Sequence, residues 1–110
     1  MTLEVAGRAL ETDPEGFLRS LEDWSEDVAE EMARADGIEL NDNHWEVIRF
    51  LRSYHEEYSI APAIRILTKA MAKQFGREKG NTRYLYQLFP EGPAKQACRY
   101  AGLPKPTGCV

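Results

Sequence analysis

The sequence predicts a mainly α protein: a small single-domain helical bundle with an N-terminal β-hairpin, a helix-turn-helix-like element and a mobile C-terminal arm. Three observations lead there. Apolar residues recur at three- and four-residue steps over most of the 110 residues. Glycine, proline and Ser, Asp or Asn capping residues punctuate those stretches. The last residues, Leu103-Pro104-Lys105-Pro106-Thr107-Gly108-Cys109-Val110, hold two stiffening prolines and no periodic pattern. A chain of this length fits one domain with one modest core. We divide it into a helical body, residues 1–102, and an arm, residues 103–110.

The elements follow in order. Leu3-Glu4-Val5 and Arg8-Ala9-Leu10 around Ala6-Gly7 read as a hairpin with a glycine turn. Asp13-Pro14-Glu15 places a cap, a first-turn proline and an acid ahead of Phe17, Leu18 and Leu21, the signature of a short helix. Ser25-Glu26-Asp27 caps a second helix with Val28 and Met32, which stops at Gly37. Asn41 or Asp42 opens the longest helix, to Tyr58, with Trp45, Ile48, Leu51, Tyr54 and Tyr58 as its stripe. Ser59-Ile60-Ala61 breaks the chain before Pro62, which starts a helix with Ile64, Leu67, Met71 and Phe75 on one side and Gly76 at its end. Asn81 caps a short helix ended by Pro90, and Gly92-Pro93 opens a last one that contains Cys98 and closes at Gly102.

Composition limits the function classes. No apolar run approaches the ~20 residues of a membrane span, and no signal-peptide h-region follows Met1, so we expect a cytoplasmic protein without membrane insertion. In that compartment two cysteines point to redox or metal chemistry, or to inert packing, before a permanent bridge. The net charge of −4 hides an asymmetry: residues 1–61 carry −11 and residues 62–110 carry +7. Both cysteines lie in the basic half, which suits an anionic partner.

Cys109 and Cys98 are the candidate reactive pair. Eight extended residues could carry the Cys109 thiol about 27 Å from the body. Cys98 sits near a helix end between Lys95 and Arg99, with Lys105 on the arm. Positive neighbours favour the thiolate, whereas a helix C-terminus opposes it. A hinge at Gly102 would let the arm fold back, and closing such a loop stabilises a disulfide by about 3 kcal/mol in the chain-entropy model. A mobile thiol with a second within reach is the arrangement of an attacking and a resolving cysteine that handle a persulfide or mixed disulfide.

Arg65, Lys69 and Lys73 share one helix face, and Arg77, Lys79 and Arg83 extend it. The stretch from Pro62 to Phe89 could pass for a helix-turn-helix that contacts DNA phosphates, or hold small anions or an acidic protein surface. An acidic chain without a base-reading signature weighs against DNA as the main partner. Metal-ligand spacing is absent: His44 and His55 fit surface or capping positions better than ligand roles.

The stretch Tyr58-Ser-Ile-Ala-Pro-Ala-Ile-Arg-Ile-Leu-Thr-Lys69 and the run from Lys79 to Val110 closely resemble the DsrC/TusE family. The resemblance implies a helical domain with an N-terminal hairpin and a mobile arm, and makes Cys109 the carrier cysteine that enters a partner's active site. TusE-type members relay persulfide sulfur toward tRNA 2-thiouridine and typically lack the second cysteine. DsrC-type members have both, and Cys98 matches the second in type and spacing. For that type the resemblance implies a sulfur carrier of dissimilatory sulfur metabolism, a protein co-substrate more than a free-standing enzyme. Its sulfur becomes held between the two cysteines as a trisulfide. The implied partner is the sulfite reductase DsrAB, whose siroheme and iron–sulfur clusters leave this chain with no cofactor of its own. In sulfur oxidisers, DsrEFH and TusA supply the sulfur. Arg65, Lys69, Arg83, Lys95, Arg99 and Lys105 are the expected anion- or partner-binding set. The two-cysteine reading is our first expectation; the TusE-like relay and a helix-turn-helix DNA-binding regulator are the alternatives.

Overall fold

The computed structural model describes residues 1–106. Strands β1 (Thr2–Val5) and β2 (Arg8–Glu11) pair antiparallel, with Leu3 opposite Leu10 and Val5 opposite Arg8. Both turn residues, Ala6 (φ 50°) and Gly7 (φ 81°), take positive φ, as a two-residue turn that follows strand twist requires. The expected hairpin is present, and Val5 and Leu10 turn its inner face into the core.

The expected helix from Asp13 does not form. Oδ1 of Asp13 accepts from the N–H of Glu15 (2.8 Å) and of Phe17 (3.0 Å), and Gly16 swings the backbone to φ 91°. Cap chemistry that would start a helix closes a local turn instead, because a positive φ stops helical progress at once. Phe17 and Leu18 still reach the core, while Leu21 lies 40% exposed in a short 3₁₀ turn, Leu21–Asp23.

Five helices follow. In α1 (Glu26–Ala35) the Ser25 hydroxyl accepts from the Val28 N–H, a cap that contributes about 1 kcal/mol. Its C-terminus closes as expected at Gly37 (φ 76°): the N–H groups of Gly37 and Ile38 reach back to the carbonyls of Arg34 and Ala33. Helix α2 (Asp42–Tyr58) starts in a capping box between Asn41 and His44. Its buried face is His44, Val47, Ile48 and Leu51, not the expected stripe; Trp45 and Tyr54 are half-buried and Tyr58 is exposed. Each three-residue step falls ~60° short of a full helical turn, so the run Trp45, Ile48, Leu51, Tyr54 winds around the helix.

Helix α3 (Ile64–Phe75) begins two residues after Pro62, since Ala63 is extended (ψ 165°), and its Leu67 and Met71 are buried. Helix α4 (Thr82–Leu88) is capped by Asn81, whose side chain accepts from the Tyr84 N–H at 2.8 Å. Helix α5 (Pro93–Tyr100) packs against each of the other four. Ala94, Ala97 and Cys98 let neighbouring backbones close in, while Tyr100 and the preceding Phe89 fill the larger spaces; all five are fully buried.

One histidine locks α2 to the end of α4. Nδ1 of His44 accepts from the Asn41 N–H (3.1 Å), so the neutral ring carries its proton on Nε2, which donates to the Leu88 carbonyl (3.0 Å). The ring meets Phe89 edge-on at 5.4 Å. Burial holds His44 below its ordinary value, although the Leu88 carbonyl works the other way. The folded state therefore binds fewer protons than the unfolded chain, and this contribution to stability falls as pH drops through about 6.5 toward the lowered folded value. Urea unfolding at about pH 7 and about pH 5 should show that loss in the wild type and little of it in His44→Gln; an equal pH slope in both would exclude His44 as its source.

Candidate functional site

Cys98 lies on the inward side of α5, fully buried, and burial pushes its thiol up to about 12. At neutral pH such a thiol stays protonated. The helix end beside it is closed. The Leu103 N–H donates to the Cys98 carbonyl (3.0 Å) and the Gly102 N–H to that of Arg99 (3.1 Å), with Gly102 at φ 73°. Trp24 Nε1 donates to the Tyr100 carbonyl at 2.7 Å and an Arg52 guanidinium nitrogen to that of Ala101 at 2.6 Å. That guanidinium also lies 3.9 Å above the Trp24 ring centroid. A Cβ on Gly102 would stand 2.5 Å from Trp24, so the expected hinge is wedged by an indole.

The positive charge around Cys98 is already matched. Arg99 pairs with Asp36 at the C-terminus of α1, and the same carboxylate oxygen accepts from the Tyr100 hydroxyl at 2.6 Å. Gln96 Nε2 donates to the Tyr100 hydroxyl at 2.9 Å. Burial and the Asp36 carboxylate raise the Tyr100 phenol above its ordinary range, so it stays a donor. Glu15 takes both remaining cations: Lys105 at 2.8 Å and Lys95 at 3.2 Å. The Lys105 and Lys95 hydrogen bonds hold the Glu15 carboxyl below its usual range. Lys105 lies on the arm, and Leu103 and Pro106 are buried, so the described start of the arm rests against the body.

The six expected anion- or partner-binding residues thus fall into two groups. Lys95, Arg99 and Lys105 surround α5 and are ion-paired, and burial, not these cations, sets the Cys98 thiol, which settles the two opposing influences in favour of the protonated form. Arg65 and Lys69 on α3 and Arg83 on α4 are exposed and have no ion-pair partner among the described residues. Cys109 lies outside the described residues. Sequence reasoning missed Trp24, Asp36, Glu15 and Arg52. No local signal marks them, since Trp24 meets its carbonyl across 76 positions and Arg52 across 49.

Cys98 should behave as a sequestered thiol. In a Cys109→Ala variant at mildly alkaline pH, alkylation of Cys98 should be at least ~100-fold slower in the native protein than in urea, read by mass spectrometry. Comparable rates would show that α5 leaves the sulfur accessible.

Comparison with known proteins agrees with this architecture. A family model described as DsrC like protein matches residues 4–110. A protein of Yersinia pestis named sulfurtransferase TusE is 55% identical over 108 residues, 98% of this chain and 99% of its own. The Escherichia coli K12 protein of that name is 56% identical over 104 residues, 94% of this chain and 95% of its own. Among solved structures, Allochromatium vinosum DsrC is 61% identical with a TM-score of 0.90, over 99% of this chain and 97% of its own. The oxidized gamma-subunit of the dissimilatory sulfite reductase (DsrC) from Archaeoglobus fulgidus is 50% identical with a TM-score of 0.84, over the full length of both. With the family model matched over residues 4–110 and these relatives alike over nearly the whole chain, this chain belongs to the DsrC-like protein family.

Proposed function

We propose that this protein is a sulfur carrier in which Cys109 takes up sulfane sulfur from a persulfide donor and passes it on, in the manner of a sulfurtransferase relay. The observation that carries this reading is the burial of Cys98. With that thiol held protonated behind a closed helix end, Cys109 is the other thiol in the sequence and the one assigned to the chemistry. The names of the TusE relatives support the same assignment and favour the relay over the two-cysteine reading that the sequence put first.

The transfer balances simply. The Cys109 thiolate attacks the outer sulfur of a donor persulfide, the donor S–S bond breaks, and the donor leaves as a thiol once protonated. Cys109 then holds a persulfide, and an acceptor thiolate on the next protein repeats the exchange. No net oxidant is needed. In the finer reading the donor side is a relay protein of the DsrEFH or TusA kind and the sulfur ends in 2-thiouridine of tRNA.

A second reading is favoured by Cys98 itself, eleven positions before Cys109, and by the likeness to the A. vinosum and A. fulgidus DsrC structures. There the carrier works with the sulfite reductase DsrAB and closes its sulfur between Cys98 and Cys109. That route requires the turn at Gly102 and the Trp24 wedge to open before sulfur can reach Cys98.

Persulfide treatment followed by peptide mass spectrometry should add about 32 Da to Cys109 in the wild type and in Cys98→Ala, and nothing in Cys109→Ala. Loading that survives Cys109→Ala would end the carrier reading. A Cys98–Cys109 trisulfide formed with reductase and sulfite, and absent from Cys98→Ala, would select the second reading.

A further inference from the structure

The basic residues of α3 and α4 differ from most other cations of the molecule in making no ion pair among the described residues. Residues 62–90 hold six Lys or Arg and one acid, Glu78. Lys79 is taken by Glu46 at 2.9 Å. Arg65, Lys69 and Arg77 make no ion pair and no side-chain hydrogen bond among the described residues, whereas Arg34, Arg49, Lys95, Arg99 and Lys105 are all paired. Charge that the fold does not neutralise is left for a ligand.

These three cations converge on a concavity. Arg65 and Lys69 lie one turn apart on α3, and the loop 76–81 folds back so tightly that a Cβ on Gly80 would stand 2.1 Å from the Ala72 backbone. That close approach, possible only for glycine, brings Arg77 into the same cleft of about 750 Å³. Tyr86 of α4 lines it too, 38% exposed, together with Thr82. Cations beside an available aromatic face, in a groove, form the combination that binds an unpaired nucleic-acid strand: phosphates meet the cations and a base stacks on the ring.

We propose that the cleft between α3 and α4 is an RNA-binding site, with Arg65, Lys69 and Arg77 on phosphates and an unstacked base on Tyr86. Duplex DNA fits less well. A helix-turn-helix joins its helices by about three or four residues, and here six separate α3 from α4. Tyr86 also lies in the cleft, where a base from an open strand can meet it and a paired base cannot. A single strand carries less charge per unit length than a duplex, which suits a chain of net charge −4. The site would give a relay protein a hold on an RNA that receives sulfur; that link rests on the reading above, whereas the binding itself does not involve Cys109.

The test is a fluorescence-anisotropy titration of a labelled RNA stem–loop with the full-length protein over a range of salt, with duplex DNA of the same sequence as competitor. We expect saturable RNA binding that duplex DNA displaces poorly and that Cys109→Ala leaves unchanged. The double variant R65A/K69A should weaken it and flatten the slope of log K against log salt by about 0.7 per lost phosphate contact. Tyr86→Ala should cost about tenfold and Tyr86→Phe little. Unchanged circular dichroism melts would show that these exposed substitutions leave the fold intact. Absence of saturable RNA binding, tighter binding of the duplex, or an R65A/K69A variant that binds like wild type would each overturn the proposal. Sulfur loading of Cys109, measured on the same samples, reports separately on the carrier reading.

Discussion

The closed C-terminus of α5 is the constraint on which the rest of the structure depends. All four other helices pack against this eight-residue element. A helix buried so completely cannot leave its last carbonyls to water, so each must find a donor within the protein. The backbone turn at Gly102 satisfies those of Cys98 and Arg99, and Trp24 and Arg52 satisfy those of Tyr100 and Ala101. The tie runs from the segment before α1, through α2, to the root of the arm. Losing one donor would leave a buried carbonyl unpaired, at a cost of about 1–3 kcal/mol.

That packing decides the chemistry of the two thiols. Cys98 is a packing residue first: small enough for close helix contact, and too desolvated to ionise near neutral pH. The cations that sequence spacing placed around it are present but committed. Arg99 is bound to Asp36, and Lys95 and Lys105 share Glu15. Nearby cations can lower a thiol's pKa, but here they are bound to carboxylates and burial sets the Cys98 thiol. Arg65, Lys69, Arg77 and Arg83, which have no ion-pair partner among the described residues, lie instead on α3, in the adjoining loop and on α4.

Much of the architecture was legible because it rests on local rules. Ser25, Asn41 and Asn81 cap the helices they were expected to cap, and Gly37, Gly76 and Gly102 end theirs, since both effects depend on backbone geometry within one turn. The segment after Asp13 was misread because an Asp can cap a helix or close a turn, and Gly16 tips the balance. The face of α2 was misread because an apolar residue every three positions does not stay on one side of a helix. His44, expected at a surface or capping position, both caps α2 and is buried against Leu88 and Phe89, a contact that no neighbouring residue announces.

The sequence by itself determined the helical class, the hairpin, most helix ends, the segregation of charge and, through the run from Lys79 to Val110, the family. These follow from short-range sterics, capping and side-chain pattern. Tertiary structure alone decided that Cys98 is sealed in, that Trp24 wedges Gly102, that Asp36 and Glu15 absorb the charge around α5, and that Arg65, Lys69 and Arg77 share a cleft with Tyr86. Ionisation and pairing depend on burial and on distances across many residues, and sequence spacing does not set those until the chain has packed.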